Sequence, residues 1–157
     1  MPARQGGGRV DVPGRTVLYL SSTPAGAVAE VFAPLASWLP QMFLSPTQPG
    51  ARRSLARYEL AESAAVLDLD DAAALGSLGL RPSEVVSSDR TVTQRWAGAI
   101  AGQGRWEGVR WWSYYDPRWY SYGLWDRRHL TVTGVEPLSL DHPAVVEAAT
   151  ALRRPLG

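Results

Sequence analysis

The sequence predicts an α+β fold, a mixed or antiparallel sheet flanked by short helices. Strand-like and helix-like segments mix without strict βαβ alternation, no internal repeat is visible, and two aromatic strand-like runs flank the turn residues Asp116-Pro117. At 157 residues the chain suits one domain around one substantial core.

The elements follow in order. Gly6-Gly7-Gly8-Arg9 reads as a flexible loop running through Pro13-Gly14 into Thr16-Val17-Leu18-Tyr19-Leu20, whose β-branched and aromatic residues suit a strand. Ser22-Thr23-Pro24 is an N-cap followed by proline at the first helical position, opening a helix over 24–32. Residues 34–50 are a proline-punctuated loop anchored by Trp38, Leu39, Met42 and Phe43, long enough for a lid over a site. Residues 54–60 and 65–69 suit two strands joined at Ala61-Glu62-Ser63. A short helix opened by Asp70-Asp71 follows, then a turn of helix at 81–86. Ser88-Asp89 caps an amphipathic helix over 90–103, with Val92, Trp96, Ala99 and Ile100 along one stripe.

Between Arg15 and Arg52 the only formally charged side chain is Glu30, inside the small, apolar helix. A lone carboxylate in such a setting stays near water, is paired from elsewhere in the fold, or is held for chemistry. Loop, strand and helix in that order can bring Arg9, Tyr19 and Glu30 to one cleft. The same residues also suit a solvated loop charge, a core ring and a wet helix face. Residues 106–125 hold five tryptophans and four tyrosines. Stacked rings suit a flat heterocycle or a sugar, each stacked base contributing about 1–3 kcal/mol, though such rings also simply fill sheet cores. Ser113, a small hydroxyl among them, stands out.

Composition excludes several classes. All 16 basic residues are arginine, Asn is absent and Ile occurs once, a bias that high-GC bacterial codons produce without any functional cause. With 15 acidic residues, a net charge of +1 and scattered arginines, direct nucleic-acid binding is not expected. The chain has no cysteine, and His129 and His142 stand far apart, so neither disulfides nor a metal site is expected. No apolar run follows the N-terminal charge, and five prolines cut the long uncharged stretch from Thr16 to Ala51. A cytoplasmic location without a membrane span is therefore expected.

Gly8-Arg9, Val17-Leu18-Tyr19-Leu20, Ala27-Val28-Ala29-Glu30-Val31, Val66-Leu67-Asp68-Leu69, Thr91-Val92-Thr93-Gln94 and Gly108-Val109-Arg110-Trp111-Trp112-Ser113 together resemble, in order, the RES domain family. The resemblance implies a compact fold like that of the ADP-ribosyltransferases. It also implies NAD+ as a substrate rather than a cofactor, degraded by water or by inorganic phosphate, and a toxin neutralised by an Xre-type antitoxin. By position, Arg9 matches the arginine that meets the dinucleotide phosphates, Tyr19 the ring beside the nicotinamide riboside, Glu30 the acid at the scissile bond and Ser113 the family serine. Thr91 and Gln94 match further contacts. Self-association is left open.

The chemistry agrees with that assignment. Cleaving the nicotinamide–ribose bond builds positive charge on the sugar, which a carboxylate stabilises. Nicotinamide leaves a cationic substrate as a neutral molecule, so one acid suffices. An arginine is the natural bidentate reader of a pyrophosphate. Two other readings remain, ADP-ribose transfer to a macromolecule and a non-enzymatic nucleotide or sugar-binding module using Trp111, Trp112 and Trp119. One departure stands out: RES domains begin with a Tyr-Arg-Val type strand well ahead of the glycine-arginine loop, whereas only eight residues precede Arg9 and Arg4 has no strand pattern around it. The expectation is a chain shortened at its N-terminus that binds or cleaves NAD+ poorly.

Overall fold

The computed structural model describes residues 6–157, so Arg4 lies outside the described residues. Strand β1 (Leu18–Ser21) leads into helix α1 (Pro24–Phe32), with Pro24 at its start. The Thr23 hydroxyl caps α1 by accepting from the Gly26 N–H at 3.0 Å. A 3-10 turn at Pro40–Phe43 precedes β2 (Ser54–Leu60), β3 (Val66–Asp68), α2 (Ala72–Leu78), α3 (Pro82–Val85) and α4 (Arg90–Gly102). The chain finishes with β4 (Gly108–Trp112), β5 (Tyr120–Leu124), β6 (Leu130–Pro137) and α5 (Pro143–Leu152). The Asp71 and Asp89 carboxylates cap α2 and α4 by accepting from the Ala73 and Thr91 N–H groups.

The fold is α+β. Four strands form a sheet in the order β1-β5-β4-β3, antiparallel except for the β3–β4 pair, and β2 with β6 forms a separate antiparallel ribbon. The expected turn at Ala61-Glu62-Ser63 therefore joins strands of different sheets. It lacks the Asn-Gly or Asp-Gly pair that selects a tight hairpin, and long-range pairing decides instead, helped by the cross-strand bond from Arg57 to Glu136 at 2.7 Å.

Two apolar clusters fill the interior. One joins α1 and α5 through Val28, Phe32, Val145 and Ala148, together with Trp38, Phe43 and Trp119. Fully burying side chains the size of Val28 and Phe32 contributes about 1.5–3 kcal/mol each, which holds α1 against α5. The other cluster packs Trp96, Ala97 and Ile100 of α4 against Val109 and Trp111 of β4, with Val10 and Val17.

Two expectations are corrected here. The 34–50 segment is no lid: Trp38 and Phe43 are fully buried in the first cluster, Trp38 donating to the Phe32 carbonyl at 3.2 Å, and no residue of the segment lines the cavity over Glu30. The buried stripe of α4 runs through Thr93, Trp96, Ala97 and Ile100, spaced three and four residues apart as one helix face requires, while Ala99 falls on the exposed side.

Candidate active site

Alternation along the sheet builds the floor of the site. In the β4–β5 and β1–β5 registers, Trp111 lies opposite Ser121, and Ser121 lies opposite Ser21. The Ser113 N–H donates to the Trp119 carbonyl at 2.8 Å, which carries the β4–β5 ladder one pair further. Tyr19, Ser121, Trp111 and Ser113 therefore share one face. Helix α1, returning after β1, sets Glu30 over that face. The Ser113 hydroxyl donates to Glu30 Oε1 at 3.0 Å and the Ser121 hydroxyl reaches the same oxygen at 3.4 Å. Ser113 is buried and Glu30 exposed, so one carboxylate oxygen is anchored while the carboxylate borders solvent.

A cavity of about 800 Å³ opens here, lined by Arg9, Tyr19, Glu30, Arg90, Trp111 and Tyr115 among others. Its volume lies within the range of small-molecule sites. The structure thus brings Arg9, Tyr19 and Glu30 to one cavity, with Ser113 behind the carboxylate. Burial, then the charge of Arg90, draws the Arg9 guanidinium below its ordinary pKa, with Glu30 opposing. Burial, then the Glu30 charge, raises the Tyr115 hydroxyl.

The Gly6–Arg9 loop, read from sequence as flexible, is tied down. Arg9 Nη1 donates to the Val85 and Ser87 carbonyls, each at 2.7 Å. Asp11 Oδ2 accepts from the Gly6 and Gly8 N–H groups at 2.7 and 2.9 Å, and Asp11 Oδ1 from the Tyr19 hydroxyl at 2.6 Å. The Val10 N–H donates to the Tyr19 oxygen at 3.0 Å. A Cβ at Gly8 would collide with both the Tyr19 hydroxyl and the Asp11 carboxylate, so this close approach needs glycine. Burial, then the bond to Asp11, raises the Tyr19 hydroxyl.

Burial pushes the Asp11 carboxyl up, but the bonds from Tyr19, Gly8 and Gly6 outweigh it and hold it below its ordinary value. A carboxyl depressed in the folded state stabilises above its unfolded pKa, near 3.9, and that contribution disappears as pH falls through the folded value. Asp11→Asn is therefore expected to melt below the parent at neutral pH, the gap closing as pH drops under about 4. Thermal melts at pH 7 and pH 3 check this; a gap that stays constant would show that the ionised carboxylate is not what holds the loop.

Thr91 and Gln94 do not line the cavity. Thr91 lies exposed on the first turn of α4, where its N–H is taken by the Asp89 cap, and the adjacent Arg90 faces the site instead. Gln94 donates to the Gly8 and Gly6 carbonyls at 2.8 and 3.3 Å, so it bonds the loop that carries Arg9. Of the rings expected to bind in the non-enzymatic reading, Trp111 and Trp112 line the cavity, but Trp119 is buried in the α1–α5 cluster.

Sequence reasoning missed Asp11, Arg90, Ser121, Tyr114 and Tyr115. A hairpin about Asp116-Pro117 with the two-residue strand period could have set Ser121 on the same face as Ser113; nothing local marks Asp11 or Arg90. Among the described residues no group of three His, Asp or Glu side chains comes together to hold a metal ion, and no helix is long and apolar enough to cross a membrane.

No curated protein and no solved structure matches the chain. A family model described as the RES domain matches residues 1–146. That match is compatible with an enzymatic activity directed at NAD+ and takes in every residue placed around the cavity. The chain belongs to the RES domain family.

Proposed function

We propose that the protein breaks the nicotinamide–ribose bond of NAD+ and passes the ADP-ribosyl group to phosphate or water, as the toxin of a pair with an Xre-type antitoxin. The observation that carries this reading is the Glu30 carboxylate, anchored through Ser113 over a cavity that also holds Arg9 and Tyr19. The bond between the pyridinium nitrogen and ribose C1′ breaks, its electron pair leaving with nicotinamide, and the oxocarbenium character that develops at C1′ is met by the Glu30 charge. A water or phosphate oxygen then forms the new bond to C1′ and releases its proton to the solvent. Arg9 and Arg90, two neighbouring cations on the cavity wall, suit the diphosphate.

The test is to incubate the purified protein with NAD+, with and without inorganic phosphate, and identify the products by mass spectrometry. Nicotinamide with ADP-ribose would mark hydrolysis, and a phosphate ester of ADP-ribose phosphorolysis; no nicotinamide in either reaction would end the reading.

Ser113 positions Glu30. A hydrogen bond to a charged group contributes about 1.5–3 kcal/mol, so Ser113→Ala is expected to lower kcat at least about tenfold with little change in KM. A rise in KM alone would place Ser113 in substrate binding instead.

A further inference from the structure

We propose that the cleft between β1 and β2 is a docking site for an extended segment of a partner protein with alternating apolar side chains and one carboxylate. Strand β1 ends the order of the four-stranded sheet, so among the described residues one of its edges is unpaired. The Ser22 N–H donates to the Tyr120 carbonyl at 2.8 Å, and the register continues as Leu20 with Tyr122 and Leu18 with Leu124. Because bonded and non-bonded pairs alternate in an antiparallel ladder, the backbone groups of Tyr19 and Ser21 point to that open edge. Among the described residues nothing bonds to their N–H groups.

Beyond the edge lies a second cavity, of about 750 Å³. Residues 18–22 line one side in unbroken succession and residues 53–58 of the β2 side line the other, so backbone as well as side chains borders it; Val28, Val31 and Phe32 of α1 add apolar wall. Open strand edges bind extended peptides by main-chain hydrogen bonds, and side-chain pockets select the sequence.

Charge identifies the occupant. Among the described residues no carboxylate lines the cleft, and its two cations, Arg53 and Arg57, differ. Arg57 is bonded to Glu136. Arg53 has no ion pair among the described residues, its guanidinium lies 5.4 Å from the centre of the Phe32 ring, and its Nε is buried without a partner. A guanidinium on the cleft wall with no counter-ion of its own is matched by an incoming carboxylate. A second copy of this chain fits poorly: β3 is the other end strand of the sheet, and its carboxylate, Asp68, is already held by Arg110 at 2.6 Å. The site does not depend on the NAD+ reading, although Tyr19, Leu20, Ser21, Ala27 and Val31 border both cavities.

The experiment selects peptides from a phage-displayed library of random linear sequences against the full chain, then synthesises those enriched. Enriched peptides should alternate apolar residues around an Asp or Glu. They should lose about tenfold or more in affinity to Arg53→Gln, and slow hydrogen exchange at the Tyr19 and Ser21 amides. Should Arg53→Gln fail to fold, replacing the peptide acid by its amide against the unaltered protein reads the same contact. The proposal fails if nothing is enriched, or if binding ignores both substitutions and leaves the two amides unprotected. It also fails if those amides already exchange slowly without peptide, because a second copy or the chain itself would then cover the edge.

Discussion

Glu30→Gln is expected to fold as the parent does and to lose NAD+ cleavage by on the order of a hundredfold or more. The amide keeps the size and shape of the side chain, so the α1 cap and the α1–α5 packing, which do not involve Glu30, should persist. In the proposed reaction it removes the negative charge that faces the sugar as nicotinamide departs. As the bond breaks, the positive charge moves from the pyridinium ring onto ribose C1′, toward the carboxylate, so the loss should fall mainly on kcat. Single-turnover kinetics with matched circular dichroism checks both halves; near-native turnover in a folded variant would remove Glu30 from the mechanism.

Arg9→Ala should act differently, raising KM about tenfold or more while changing kcat less, because diphosphate contacts hold ground state and transition state alike. The structure adds a second effect absent from any sequence argument. One guanidinium nitrogen is committed to the Val85 and Ser87 carbonyls, so truncation also strips two acceptors on the segment that leads into α4. A lower melting temperature should accompany the KM change. Arg9→Lys keeps a charge but not the planar fork, and is expected to recover little of either. An effect confined to kcat would make Arg9 a group acting in the transition state.

Several features were legible because they are local. The Thr23-Pro24 start of α1, the Asp89 cap of α4 and the strand pairing across Asp116-Pro117 each depend on residues within a few positions of one another. So does the isolation of Glu30 among small apolar residues, and the ordered motifs sufficed to point to the family. Other local signals were overlooked: Leu130-Thr-Val-Thr has the apolar–polar alternation of a strand and opens β6, and His142-Pro143 caps and opens α5.

Tertiary structure alone decided the rest, through contacts between residues far apart in the chain. Ser113 meets Glu30 across 83 positions, and Gln94 holds the loop of Gly8 across 86. Neither distance can be read from spacing, because each depends on how α1 and α4 pack against the sheet. The partners of β2 and β3 were hidden for the same reason: a strand's own pattern shows that it has a buried face but not which distant edge completes its ladder. The chain by itself singled out Arg9, Tyr19, Glu30 and Ser113 as candidates for the chemistry, since residue type and local order suffice for that. Packing determined which of them meet: Arg90 rather than Thr91 faces the cavity, and Asp11 fastens Tyr19, because burial and hydrogen bonding settle only once the helices close over the sheet.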